Sequence, residues 1–128
     1  MDILAALFVE DIGTRQAPGP STRIDLTGVH FSFAAPNPPP VTIGPHLVVL
    51  ARNPNGGAPQ SVLEVVFRNE TGEQVARNVQ PVNVEAGKFG RLLVRGELTF
   101  EEYGTIEAHC RLGDGPWMVV PLTLLPPG

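Results

Sequence analysis

The sequence predicts an all-β fold: a two-layer antiparallel β-sandwich of about eight or nine strands, Ig-like or jelly-roll-like, with no long helix. Three observations predict it. Apolar and polar residues alternate with a period of two in several separate segments. Glycine and proline number 14 each among 128 residues, roughly twice their average usage, and punctuation that dense interrupts helices. Apolar residues make up 42% and charged residues 17%, which is enough to fill a core and too little charge for a disordered chain. The length fits one domain over residues 1–128.

Asp2–Val9 is read as the first strand, apolar on both faces. Ile3, Ala5, Leu7 and Val9 are expected to face the core, which leaves Leu4, Ala6 and Phe8 for another surface. Gly13–Ser21 is read as a loop. Arg23–Phe33 reads as a strand whose apolar phase changes at Gly28, the mark of a bulge or sharp bend, with Val29, Phe31 and Phe33 on the apolar side. The prolines of Ala35–Pro45 send that stretch across the end of a sheet, and His46–Ala51 follows as a short apolar strand.

Ser61–Arg68 is the clearest central strand, with Leu63, Val65 and Phe67 inward. Asn69–Gly72 turns the chain back, and Pro81 marks the returning piece as an edge strand. Arg91–Phe100 alternates, with Leu92, Val94, Leu98 and Phe100 on one side and a bend at Gly96. Thr105–Leu112 places Ile106, Ala108, Cys110 and Leu112 inward, and Met118, Val120, Leu122 and Leu124 form the closing strand after the tight Gly-Asp-Gly turn.

Several of these segments together resemble a family of small bacterial proteins of unknown function. The residues that carry the resemblance are Ile3–Asp11, Arg23–Phe33, the proline-rich crossing from Phe33 to Leu50, and the closing hairpin Tyr103–Leu124. The resemblance implies a β-sandwich and supplies no catalytic residue or ligand. The Gly13–Ser21 loop and the adjacent pair His109-Cys110 depart from the family pattern.

The chemistry-bearing residues are sparse. The nine cationic residues are scattered and the net charge is −4, so no nucleic-acid footprint is visible. No apolar run is long enough for a membrane span. The apolar stretch near the start lacks basic flanks and one cysteine forms no intrachain disulfide, so the expected location is cytoplasmic. The signatures of phosphate loops, zinc proteases and serine hydrolases are absent. No cofactor, metal site or catalytic residue is expected.

Three weaker patterns are worth locating. His30, Glu107 and His109 fall on outward strand positions and could form a polar surface site. Tyr103 and Trp117 could form an aromatic binding platform, with Phe31, Phe67 and Phe100 in the core. Leu4, Ala6, Phe8, Leu47 and Val49 are the expected subunit interface, because a second apolar face on a strand needs cover. The function expected from this inventory is a non-catalytic structural or protein-interaction module that self-associates, most simply as a dimer, or that binds another protein. The alternatives are a small-ligand or carbohydrate-binding domain, and an enzyme with an unrecognised site.

Overall fold

The computed structural model describes residues 1–16 and 22–127. Among them the chain is all-β and helix-free, with twelve strands. These are β1 (Asp2–Val9), β2 (Asp11–Gln16), β3 (Thr22–Thr27), β4 (Ser32–Ala34), β5 (Val41–Ile43) and β6 (His46–Arg52). They continue with β7 (Gln60–Arg68), β8 (Gln74–Asn83), β9 (Phe89–Arg95), β10 (Leu98–Phe100), β11 (Gly104–Leu112) and β12 (Met118–Leu125). A three-stranded sheet runs β1-β6-β9 and a five-stranded sheet runs β4-β12-β11-β7-β8. Two small sheets pair β5 with β10 and β2 with β3. Every pairing is antiparallel except that of β4 with β12.

The alternation read from the sequence sets the layering. One buried cluster takes Ala6 and Phe8 from β1, Leu47 and Val49 from β6, and Val94 from β9. It takes Leu63, Val65 and Phe67 from β7, Ile106, Ala108 and Cys110 from β11, and Leu122 and Leu124 from β12. The inward faces of the three-stranded and five-stranded sheets therefore share one interior. Phe67 is about 1% exposed, and Phe100 beside it in the cluster meets Phe33 edge-on at 5.8 Å.

Local chemistry explains the turns. The Asn69 side-chain oxygen accepts hydrogen bonds from the Thr71 and Glu73 main-chain N–H groups and from the Thr71 hydroxyl. That fixes the β7–β8 hairpin, as its Asn-Glu-Thr-Gly sequence suggests. Pro81 lies on β8, the edge of the five-stranded sheet, as expected. Farther along, the Asn53 side chain is fully buried and its amide nitrogen donates to the carbonyls of Gly57, Ala58 and Val84. One side chain thus ties the loop after β6 to the segment after β8.

The structure corrects several expectations. Leu4 has no rung in the ladder, and the register slips between Ile3 and Ala5. The bulge carries the rest of β1 to the opposite face, so Ala6 and Phe8 point into the core and Ala5, Leu7 and Val9 point away. Residues 13–16 continue strand β2, since β3 supplies them with a ladder partner; residues 17–21 of the expected loop lie outside the described residues.

The Arg23–Phe33 segment is two strands, not one. Gly28 sits between them at φ +67°, a conformation glycine adopts freely. Its carbonyl and that of Thr27 both accept the Glu10 N–H. Val29 and Phe31 fall between the two strands and are 43% and 51% exposed, so Phe31 is not a core residue. The proline-rich crossing contains a short strand, β5, which pairs with β10. Gly96 separates β9 from β10 as anticipated. These divisions account for the larger strand number.

Candidate functional site

The broadest arrangement of functional side chains is the outer face of the five-stranded sheet. Registers set it out in rows. One row runs Val79, Glu64 and Arg111 across β8, β7 and β11, and Trp117, the residue before β12, continues it beyond the Cys110–Met118 rung. The next runs Arg77, Val66, His109 and Val119, and Arg68, Glu107 and Pro121 follow. Successive strands stand about 4.8 Å apart, close enough for each row to interact.

The polar members of these rows are bonded to one another. Arg77 donates to Glu64 Oε2 from Nε at 3.1 Å and from Nη2 at 2.7 Å. Arg111 Nε donates to Glu64 Oε1 at 3.2 Å, and its guanidinium carbon lies 4.5 Å from the Trp117 ring centre. The Arg77 hydrogen bond holds the Glu64 carboxyl below its ordinary pKa of 4.5, with the charges of Arg77 and Arg111 adding to the effect against a smaller desolvation. Both oxygens of Glu64 are thereby used, and the two arginines stand fixed on either side of it.

Around this network the face is apolar. Val62, Val79, Trp117 and Val119 are 48%, 48%, 44% and 44% exposed. Val66 points the same way yet is only 4% exposed, because it sits between Arg77 and His109 in the middle of the sheet. Long side chains laid over an apolar centre produce this pattern.

The sequence-predicted sites fare differently. Glu107 and His109 are neighbours on this face, with His109 Nε2 3.4 Å from Glu107 Oε1. His30 is held elsewhere: its main-chain N–H donates to the Phe8 carbonyl of β1. Among the described residues no three His, Cys, Asp or Glu side chains converge as metal ligands. Tyr103 and Trp117 do not form a platform. They flank opposite ends of the β11–β12 ladder, separated by roughly 20 Å of strand. Of the expected interface, Ala6, Phe8, Leu47 and Val49 are 6%, 0%, 1% and 0% exposed and belong to the core; Leu4, at the bulge, is 54% exposed. On β1 the bulge is the reason, since it reverses which residues look outward; on β6, Leu47 and Val49 lie on the face turned to the shared core.

Cys110 is fully buried, and burial pushes its thiol up to about 12 from an ordinary 9.0. It faces away from His109 and offers no nucleophile to the surface.

Two concavities lie among the described residues. A groove of about 360 Å³ is lined by Glu70, Glu73, Glu101, Glu102 and Tyr103. Glu70 is committed within it, because its Oε1 accepts the Thr105 N–H at 3.0 Å. A cleft of about 340 Å³ on the other sheet is lined by Asp11, Ile12, His46 and the β9 residues Arg91, Leu92, Leu93 and Arg95.

Sequence reasoning missed Val62, Glu64, Arg77 and Val79 as members of a site. Only Val62 carried a signal, in the doubly apolar run Val62-Leu63; placing the four side by side needs the strand register. Among the described residues no helix is long and apolar enough to cross a membrane. Comparison of the chain with protein-family models, with curated proteins and with solved structures finds no match.

Proposed function

We propose that the chain is a non-catalytic protein-interaction module, a two-layer sandwich of Ig-like or jelly-roll-like kind, that pairs with a second copy of itself through the outer face of its five-stranded sheet. The observation that carries this reading is the row Val79–Glu64–Arg111–Trp117 with Val119 beside it. It combines exposed valines with a tryptophan already ordered by an arginine. Tryptophan and arginine dominate interface energetics, and a side chain fixed before binding loses less entropy on docking.

A second copy is the partner that the charges favour. The face holds Arg68, Arg77 and Arg111 against Glu64 and Glu107, near balance, within a chain of net charge −4. Two such faces meet with little of the repulsion that the remaining surface would generate. A two-fold pairing of this kind is closed, and each sheet covers the other. The buried single cysteine supports a reducing, cytoplasmic setting, and the resemblance to small bacterial sandwich proteins belongs to the same reading.

Sedimentation equilibrium on the whole chain tests the proposal. The expected result is a monomer–dimer equilibrium that Val119→Glu and Trp117→Ala shift to monomer. A chain that stays monomeric at the highest concentration reached, or a dimer indifferent to both substitutions, overturns it.

A further inference from the structure

The cleft between the β2–β3 hairpin and β9 lies on the three-stranded sheet, away from the proposed dimer face. Its lining is unusual for this chain. Arg91, Leu93 and Arg95 alternate along β9 and share one outward face, and all three are exposed. His46 stands opposite Arg95 in the β6–β9 register. Among the described residues Asp11 is the one carboxylate in the lining, and its Oδ1 already accepts the N–H of Ile12. The side chains of Arg91 and Arg95 form no hydrogen bond or ion pair among the described residues. Two free guanidinium groups therefore flank one cleft in an acidic protein, while Arg77 and Arg111 on the other sheet share Glu64.

The floor between them is apolar. Leu93 is 38% exposed, and Val48, its β6 partner, is buried although it points away from the main core. Ile12 closes the cleft from the hairpin side. A volume of about 340 Å³ sits at the small end of the range for ligand sites, about 300–1,000 Å³. Guanidinium groups pair with carboxylates through two parallel hydrogen bonds.

From this geometry we propose that the cleft binds a small amphipathic organic anion, its carboxylate held by Arg91 or Arg95 and its hydrocarbon part laid on Leu93 and Ile12. The site is independent of the proposed self-association, since its residues come from β2, β6 and β9.

Calorimetric and NMR titration of the whole chain with sodium octanoate, octylammonium and inorganic phosphate tests this. Octanoate is expected to bind saturably at one site and to perturb residues 11–12, 46 and 91–95. Octylammonium has the same tail and the wrong charge, and phosphate has the charge and no tail; both are expected to bind far more weakly. Arg91→Gln with Arg95→Gln should weaken octanoate binding on the order of tenfold or more, as losing a charge-assisted hydrogen bond does. The lysine pair Arg91→Lys and Arg95→Lys should retain part of the affinity. No saturation with octanoate, equal binding of either control probe, or unchanged affinity in the glutamine pair overturns the proposal. The three wild-type titrations decide it without recourse to any variant.

Discussion

The Arg111 guanidinium lies 4.5 Å from the centre of the Trp117 ring while its Nε donates to Glu64 Oε1. Trp117 precedes β12, and the Cys110–Met118 rung sets it opposite Arg111. The aromatic ring is therefore positioned by a strand two places away, through an arginine that bridges a carboxylate and a π-face. Exposed tryptophans usually lose this ordering to rotamer freedom; here the sheet supplies it.

Arg111→Ala should release the ring. Trp117 is the chain's one tryptophan, so its fluorescence reads the change directly. A red-shifted emission with lower anisotropy is expected, with a stability loss of about 0.5–1 kcal/mol, the usual worth of an exposed cation–π contact. Unchanged emission would show that the ring is held by something else.

Glu64 gives a pH dependence with a definite sign. Its folded pKa lies below the ordinary 4.5 because Arg77 and Arg111 favour the carboxylate. The stabilisation is complete above about pH 4.5 and is lost as pH falls through the lower folded value. Glu64→Gln lacks this contribution at every pH. Melting temperatures measured from pH 7 to pH 3 should show the wild type above the variant at neutral pH and the gap closing in acid. A gap independent of pH would remove the electrostatic explanation.

Cys110 should be silent in the folded protein. Its thiol is buried and pushed up to about 12, so an aromatic disulfide reagent at pH 8 should label it only after denaturation. The linkage runs opposite to that of Glu64. The unfolded thiol loses its proton near 9.0 and the folded one near 12, so the fold loses stability as pH rises between those values. Rapid labelling of native protein would mean that the interior opens locally.

Asn53→Ala should be among the costlier polar substitutions. It removes the donor to three carbonyls and leaves that of Val84 without its buried partner. A loss of about 2–3 kcal/mol in chemical denaturation is expected from one buried hydrogen bond and one stranded acceptor. A loss under 0.5 kcal/mol, of the order seen at ordinary surface sites, would contradict this.

The core was legible wherever a strand has one dry face. Leu63, Val65 and Phe67 on β7 and Ile106, Ala108, Cys110 and Leu112 on β11 were read correctly because polar neighbours mark the phase. β1 lacks such markers: with both faces apolar, the bulge at Leu4 leaves no trace in composition, and the phase was misread from Ala5 onward. Phe31 misled for a related reason. Alternation continues through Val29 and Phe31, but the turn at Gly28 takes them out of the ladder that would have buried them. The candidate site was only half visible. Glu107, His109 and Trp117 stood out by residue type, whereas Glu64, Val79 and Arg77 become members only through pairings between distant segments.

Pro81 has a consequence for how copies of this chain can stack. It stands on the outermost strand of the larger sheet without an N–H to offer. A stray strand aligning there would meet a missing rung, and the pyrrolidine ring would hold it off. Sheet growth by strand addition, the route to fibrils, is thereby opposed on that flank.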